Sequence, residues 1–120
     1  MPDDLSGRKI LVVEDEYLIA AAVNEELSHR GAVVIGPVGN LMSALSLISH
    51  ELPDAALIDV NLEGSRAFPL LEELDRRSVP FLLLTGYDAS VLPEKWRFRP
   101  RLTKPCTPSA IAAALAKTIA

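Results

Sequence analysis

Short apolar runs alternate with amphipathic stripes along the chain. Residues 8–14 carry Ile10-Leu11-Val12-Val13, a continuous run of the kind that forms a strand buried on both faces. It stops at Glu14-Asp15-Glu16, after which Leu18, Ile19, Ala22, Val23 and Leu27 share one helical face until Gly31 ends it. Residues 32–36 predict a second strand, leading through Gly36-Pro37 and Gly39-Asn40 into a helix with Leu41, Ala44, Leu45 and Ile48 on its buried side, and Pro53 marks the break after it. Residues 55–60 are a third apolar run. A helix over about 65–77 follows, with Ala67, Leu70, Leu71 and Leu74 as its stripe and Pro69 in its first turn, where a missing N–H costs little. Pro80 introduces a fourth strand over 80–85. Beyond it, Pro93 and Pro100 limit any helix to one or two turns around Ala89 to Trp96. Residues 99–103 predict a short fifth strand. Residues 107–120 predict an alanine-rich helix with Thr107 as N-cap, Pro108 as first residue and Ile111, Leu115 and Ile119 facing inward.

Five strands alternating with five helices predict an α/β domain spanning 1–120, with one parallel sheet covered on both faces, because parallel strands need crossover connections. The fourth helix is expected to be short or irregular. At 120 residues the chain has room for one core and not two. Its net charge of -4 argues against broad attraction to nucleic acid or anionic lipid. No apolar run approaches the roughly 18 to 20 residues a membrane span needs. Asp3 and Asp4 stand where a secretory leader would be basic, and the single Cys106 forms no internal disulfide, so the chain is read as cytoplasmic.

The chemistry gathers at the strand ends. Parallel strands put Glu14 and Asp15, then Asp59, then Thr85, then Lys104 on one edge of the sheet, where ligands bind in open α/β folds. Two bare carboxylates about 4 Å apart repel by about 4 kcal/mol at an effective dielectric near 20. Such a site either holds a proton or binds a cation, and oxygen donors favour Mg²⁺, Mn²⁺ or Ca²⁺. A cation there would hold a phosphoryl group beside Asp59, whose carboxylate can act as a covalent nucleophile. Lys104 and the Thr85 hydroxyl would then meet the phosphoryl oxygens, with Gly86 leaving room for the donor.

An acidic pair after the first strand, a lone Asp after the third, Thr after the fourth and Lys-Pro after the fifth together resemble the receiver domain of two-component response regulators. Asp59-Val60-Asn61-Leu62 with Thr85-Gly86-Tyr87 is most similar to stand-alone receivers carrying a Thr-Gly motif, often paired with histidine kinases of the HWE type. The resemblance implies a flavodoxin-like fold with strand order 2-1-3-4-5. It implies that Asp59 accepts phosphate from a sensor histidine kinase or a phosphotransfer protein. It further implies that Glu14, Asp15, Asp59 and the Asn61 backbone carbonyl bind Mg²⁺, with Mn²⁺ as substitute, that Thr85 and Lys104 contact the phosphoryl group, and that the Lys104-Pro105 bond is cis. Such a domain is a signalling module whose only chemistry is its own phosphotransfer and slow dephosphorylation. Tyr87 and Arg101 are the implied switch or output positions, and a monomer or weak dimer is expected. If the protein ends at Ala120, the expected output is a protein contact.

Three places depart from the common receiver pattern. Arg101 stands three positions before the Lys, where many receivers carry a switching aromatic. The segment after the fourth strand is broken by proline, and Leu62-Glu63-Gly64 replaces a usual Met-Pro. A receiver-like interaction protein that phosphate does not switch is therefore the alternative reading. An aspartyl phosphohydrolase fits poorly, since its second acid would fall where Asn61 stands. Each residue also has a plainer role: Asp59 as a loop acid, Glu14 and Asp15 as helix caps, Lys104 as a surface lysine. His29 and His50 sit at helix ends and are read as structural, Cys106 as an inert thiol, Trp96 and Phe98 as cover for the sheet edge. Arg97, Arg99 and Arg101 are read as a solvated basic stripe on the last strand.

Overall fold

A computed structural model describes residues 5–62, 65–86 and 92–119. In chain order the elements are β1 (Lys9–Val13), α1 (Tyr17–His29), β2 (Val33–Val38), α2 (Leu41–His50), β3 (Ala55–Asp59), β4 (Asn61–Leu62), β5 (Ser65–Arg66), α3 (Phe68–Arg76), β6 (Phe81–Thr85), α4 (Glu94–Arg97), β7 (Arg101–Thr103) and α5 (Pro108–Ile119). Five of the strands form one sheet in the order β2-β1-β3-β6-β7, with every pairing parallel. Counted within that sheet alone, the order is 2-1-3-4-5.

Alternate residues of a strand point to opposite faces, and both faces of this sheet are covered. Leu11, Val13, Ile58 and Leu83 pack against Ala44 and Ile48 of α2, Leu70, Leu71 and Leu74 of α3, and Trp96 of α4. Ile10, Val12, Leu57, Leu82 and Leu84 pack against Val23 and Leu27 of α1 and against Ile111 and Leu115 of α5. That two-sided burial is why the strands read as unbroken apolar runs. Side chains start two of the helices: Asn40 Oδ1 accepts from the Ser43 N–H at 2.8 Å, and Thr107 Oγ1 from the Ala110 N–H at 3.0 Å.

Four local expectations are corrected. The helix expected from residue 65 begins at Phe68, because Ser65-Arg66 pairs antiparallel with Asn61-Leu62 and the Ala67 N–H donates back to the Val60 carbonyl at 3.0 Å. The second strand does not end at Gly36 but continues through a cis Gly36-Pro37 bond to Val38, with a register skip opposite Leu11 and Val13. Gly36 has φ +94°, and a Cβ there would sit 2.9 Å from the Val38 nitrogen, so glycine is required. The last strand starts at Arg101 and not at residue 99, so the arginines make no stripe: Arg99 turns toward α3, and Arg101 donates to the Arg97 carbonyl at 2.9 Å. Trp96 is buried, but Phe98 is 83 % exposed and covers nothing. The fourth helix is the four residues of α4. Tyr87, Glu63-Gly64 and the first part of the expected fourth helix lie outside the described residues. Among the described residues no helix is long and apolar enough to cross a membrane.

Candidate functional site

Sheet register builds the site. Val13 pairs with Ile58, Asp59 with Leu84, and Thr85 with Thr103, so Glu14, Asp59, Thr85 and Lys104 leave four adjacent strands at nearly the same level. Backbone bonds extend the ladder past the strand ends: Glu14 N–H donates to the Val38 carbonyl at 2.9 Å, Val60 N–H to Leu84 at 3.0 Å, and Lys104 N–H to Thr85 at 2.8 Å. The apolar runs carry these polar groups to the edge of the core, where Glu14, Asp59 and Thr85 remain buried. The Lys104-Pro105 peptide is cis.

The Lys104 ammonium stands among three carboxylates. It donates to Glu16 Oε1 at 2.9 Å, to Asp59 Oδ2 at 3.1 Å and to Glu14 Oε2 at 3.3 Å. Asp59 Oδ1 takes the backbone N–H of Asn61 at 3.0 Å, and Glu14 Oε2 takes that of Glu16 at 3.0 Å. Burial pushes the Glu14 carboxyl up to about 7, reinforced by Asp59 and opposed by the Glu16 N–H and by Lys104. Burial works against the charge on Lys104, yet the hydrogen bonds it donates to Glu16, Glu14 and Asp59 outweigh that and raise its pKa.

A divalent cation fits the donor set. Glu14 Oε1 is buried and lies 3.0 Å from Lys104 Nζ, a charge contact without a well-formed hydrogen bond. Glu14, Asp15, Glu16 and Asp59 can each bring one carboxylate oxygen within 4.8 Å of the others. All are hard oxygen donors suited to Mg²⁺ or Mn²⁺. A cleft of about 290 Å³, lined by Asp15, Glu16, Asp59, Asn61, Gly86 and Lys104, opens above them. Among the described residues, a Cβ on Gly86 would meet nothing within 4 Å.

The structure thus brings together Glu14, Asp15, Asp59, Asn61 and Lys104, with Thr85 buried at the adjoining strand end. Arg101 is tied instead to the end of α4. His50 ends α2, its Nδ1 2.9 Å from the Ser46 carbonyl oxygen, and His29 ends α1. Burial raises the pKa of the Cys106 thiol. Sequence reasoning missed Glu16. The signal was present in the acidic triplet, but only Glu14 and Asp15 were given a role there; Glu16 is the N-cap of α1, without a side-chain cap bond.

This fold with this carboxylate and lysine edge defines a receiver. The chain belongs to the response regulator receiver domain family, whose family model matches residues 10–116. Among curated proteins it is 29% identical over 91 residues to the transcriptional regulatory protein PdtaR of Mycobacterium tuberculosis, covering 75% of this chain and 44% of that protein. The chain therefore spans less than half of that relative's length. Among solved structures it is similar to SdrG of Sphingomonas melonis Fr1, at 36% identity and a TM-score of 0.81, with 95% of this chain and 98% of that chain covered. It is also similar to the BeF₃-activated conformation of SdrG from Pseudomonas melonis Fr1, at 35% identity and a TM-score of 0.80, with 96% and 98% covered.

Proposed function

We propose that Asp59 is the phosphoacceptor of this receiver and takes its phosphoryl group from the phosphohistidine of a sensor histidine kinase or phosphotransfer protein in the cytoplasm. An Asp59 carboxylate oxygen attacks phosphorus, the P–N bond breaks, and the histidine nitrogen leaves with the electron pair and takes a proton from solvent. Lys104 and the Thr85 hydroxyl receive the phosphoryl oxygens. Glu14, Asp15, Asp59 and the Asn61 carbonyl would hold Mg²⁺ or Mn²⁺, which when bound neutralises the acids and the incoming oxygens. Phosphoryl transfer needs mainly positioning and charge stabilisation, and these few groups can supply both.

The observation that carries this reading is the Lys104 ammonium 3.1 Å from Asp59 Oδ2, beside a buried Glu14. The new charge on Asp59 then biases a protein-binding surface reached through Thr85, Tyr87 and Arg101. The test is beryllofluoride with Mg²⁺, followed by the fluorescence of Trp96, the single tryptophan. Wild type is expected to respond and Asp59→Ala not to; equal responses overturn the reading.

One observation favours a second reading, a receiver-like interaction protein that phosphate does not switch. Arg101 stands where an aromatic would move, and its guanidinium is bonded to the Arg97 carbonyl. Partner binding unchanged by Asp59→Asn would support that reading.

A further inference from the structure

Glu16 has no part in the phosphoryl chemistry assigned above, yet it makes the shortest contact to Lys104, at 2.9 Å. An ammonium has three N–H donors, and three carboxylates claim them here. The three are not equivalent. The side chains of Glu14 and Asp59 are 0% and 5% exposed, whereas that of Glu16 is 59% exposed. Glu14 and Asp59 are each also fixed by a backbone N–H, from Glu16 and Asn61 respectively. Freeing Lys104 from either would leave a buried charge without its partner, which is costly. Releasing it from Glu16 returns a carboxylate to water, which costs little.

We propose that Glu16 is a positioning residue, a displaceable counter-ion that holds the Lys104 ammonium at the rim of the cleft until an anion on Asp59 takes over the N–H that Glu16 gives up. The inference rests on the proposed role of Asp59. Its consequence is competition: the Glu16 contact belongs to the resting state alone, so removing that carboxylate favours the anion-bound state. Glu16 makes no side-chain cap bond to α1, so Glu16→Gln removes the charge without removing a helix cap.

The experiment is calorimetric titration of beryllofluoride at saturating Mg²⁺ into wild type, Glu16→Gln, Lys104→Met and the double variant. It is accompanied by NMR of the ¹⁵N-labelled lysine ammonium groups before anion is added. The expected result is about two- to five-fold tighter anion binding in Glu16→Gln, the worth of a half-exposed ion pair, and no such gain in the Lys104→Met background. The Lys104 ammonium signal is expected to shift in Glu16→Gln before titration. Unchanged or weaker binding overturns the inference, as does an equal gain without Lys104, which would mark a general charge effect. If wild type binds no beryllofluoride, the reading of Asp59 fails and takes the inference with it, whereas binding by wild type with no Glu16 effect sinks the inference alone.

Discussion

Arg99 closes a two-point clasp on Asp75: Nη1 meets Oδ1 at 2.9 Å and Nη2 meets Oδ2 at 2.6 Å. The same guanidinium lies 5.3 Å from the Phe81 ring centre and 5.2 Å from that of Trp96. One side chain therefore ties the turn between α4 and β7 to α3 and β6. Hydrogen bonding to Arg99 holds the Asp75 carboxyl below the usual carboxylate range. Lysine can supply the charge but neither the fork nor the flat stacking surface. Arg99→Lys is expected to cost about 1 kcal/mol in urea unfolding, the sum of a partly exposed pair and weakened cation–π contacts. Hydrogen exchange is expected to rise first over residues 94–97. No change in either measurement would contradict this role for Arg99.

Trp96 carries the packing of α4. A helix of four residues has almost no stability of its own, so burial must hold it in place. Trp96 is 2% exposed and packs against Phe81 with ring centres 6.0 Å apart. Trp96→Ala is expected to destabilise the protein by about 3–5 kcal/mol in chemical denaturation. A loss under 1 kcal/mol would mean that α4 is held by its charged contacts, among them Lys95 to Glu72 at 2.6 Å.

Glu14 makes stability depend on pH. Its folded value of about 7 lies above the ordinary 4.5, chiefly because burial disfavours the charged form. Below pH 4.5 both states are protonated. Between 4.5 and 7 the unfolded chain gives up the proton while the folded one keeps it, so stability falls as pH rises and the loss is complete above 7. The shift sets a ceiling on the order of 3 kcal/mol. In chelator, wild type is expected to lose stability relative to Glu14→Gln from pH 5 to 8. The opposite slope would show that Lys104 outweighs burial.

The cap on α5 sets the chain's path just after Lys104-Pro105. Thr107→Ala removes the acceptor for the Ala110 N–H and is expected to cost about 1 kcal/mol, read by thermal unfolding. Thr107→Ser should retain most of that stability.

The sheet, its strand order and the residues at its edge were legible because buried strands leave unbroken apolar runs and register then places their last residues together. The β4–β5 ribbon was not, since strands of two residues carry no periodicity and Ser65-Arg66 directly precedes the helical stripe that starts at Ala67. The Arg99–Asp75 clasp joins residues 24 positions apart, which no local pattern reports. Glu16 was hidden for a different reason: Glu14 and Asp15 already accounted for the acids after the first strand, and its contact with Lys104 joins residues 88 positions apart. Gly36-Pro37 read as an exit from the second strand, because the sequence signals a turn there and the pairing of Val13 with Val38 beyond it is visible only in three dimensions.

The central claim is that Asp59 is the residue that takes the phosphoryl group. Incubating the chain with Mg²⁺ and acetyl phosphate, reducing the acyl phosphate with borohydride and mapping the peptides by mass spectrometry locates the acceptor directly. Conversion of Asp59 to homoserine, absent without Mg²⁺, is the predicted result; no conversion, or conversion at Glu14, Asp15 or Glu16 instead, would contradict the account.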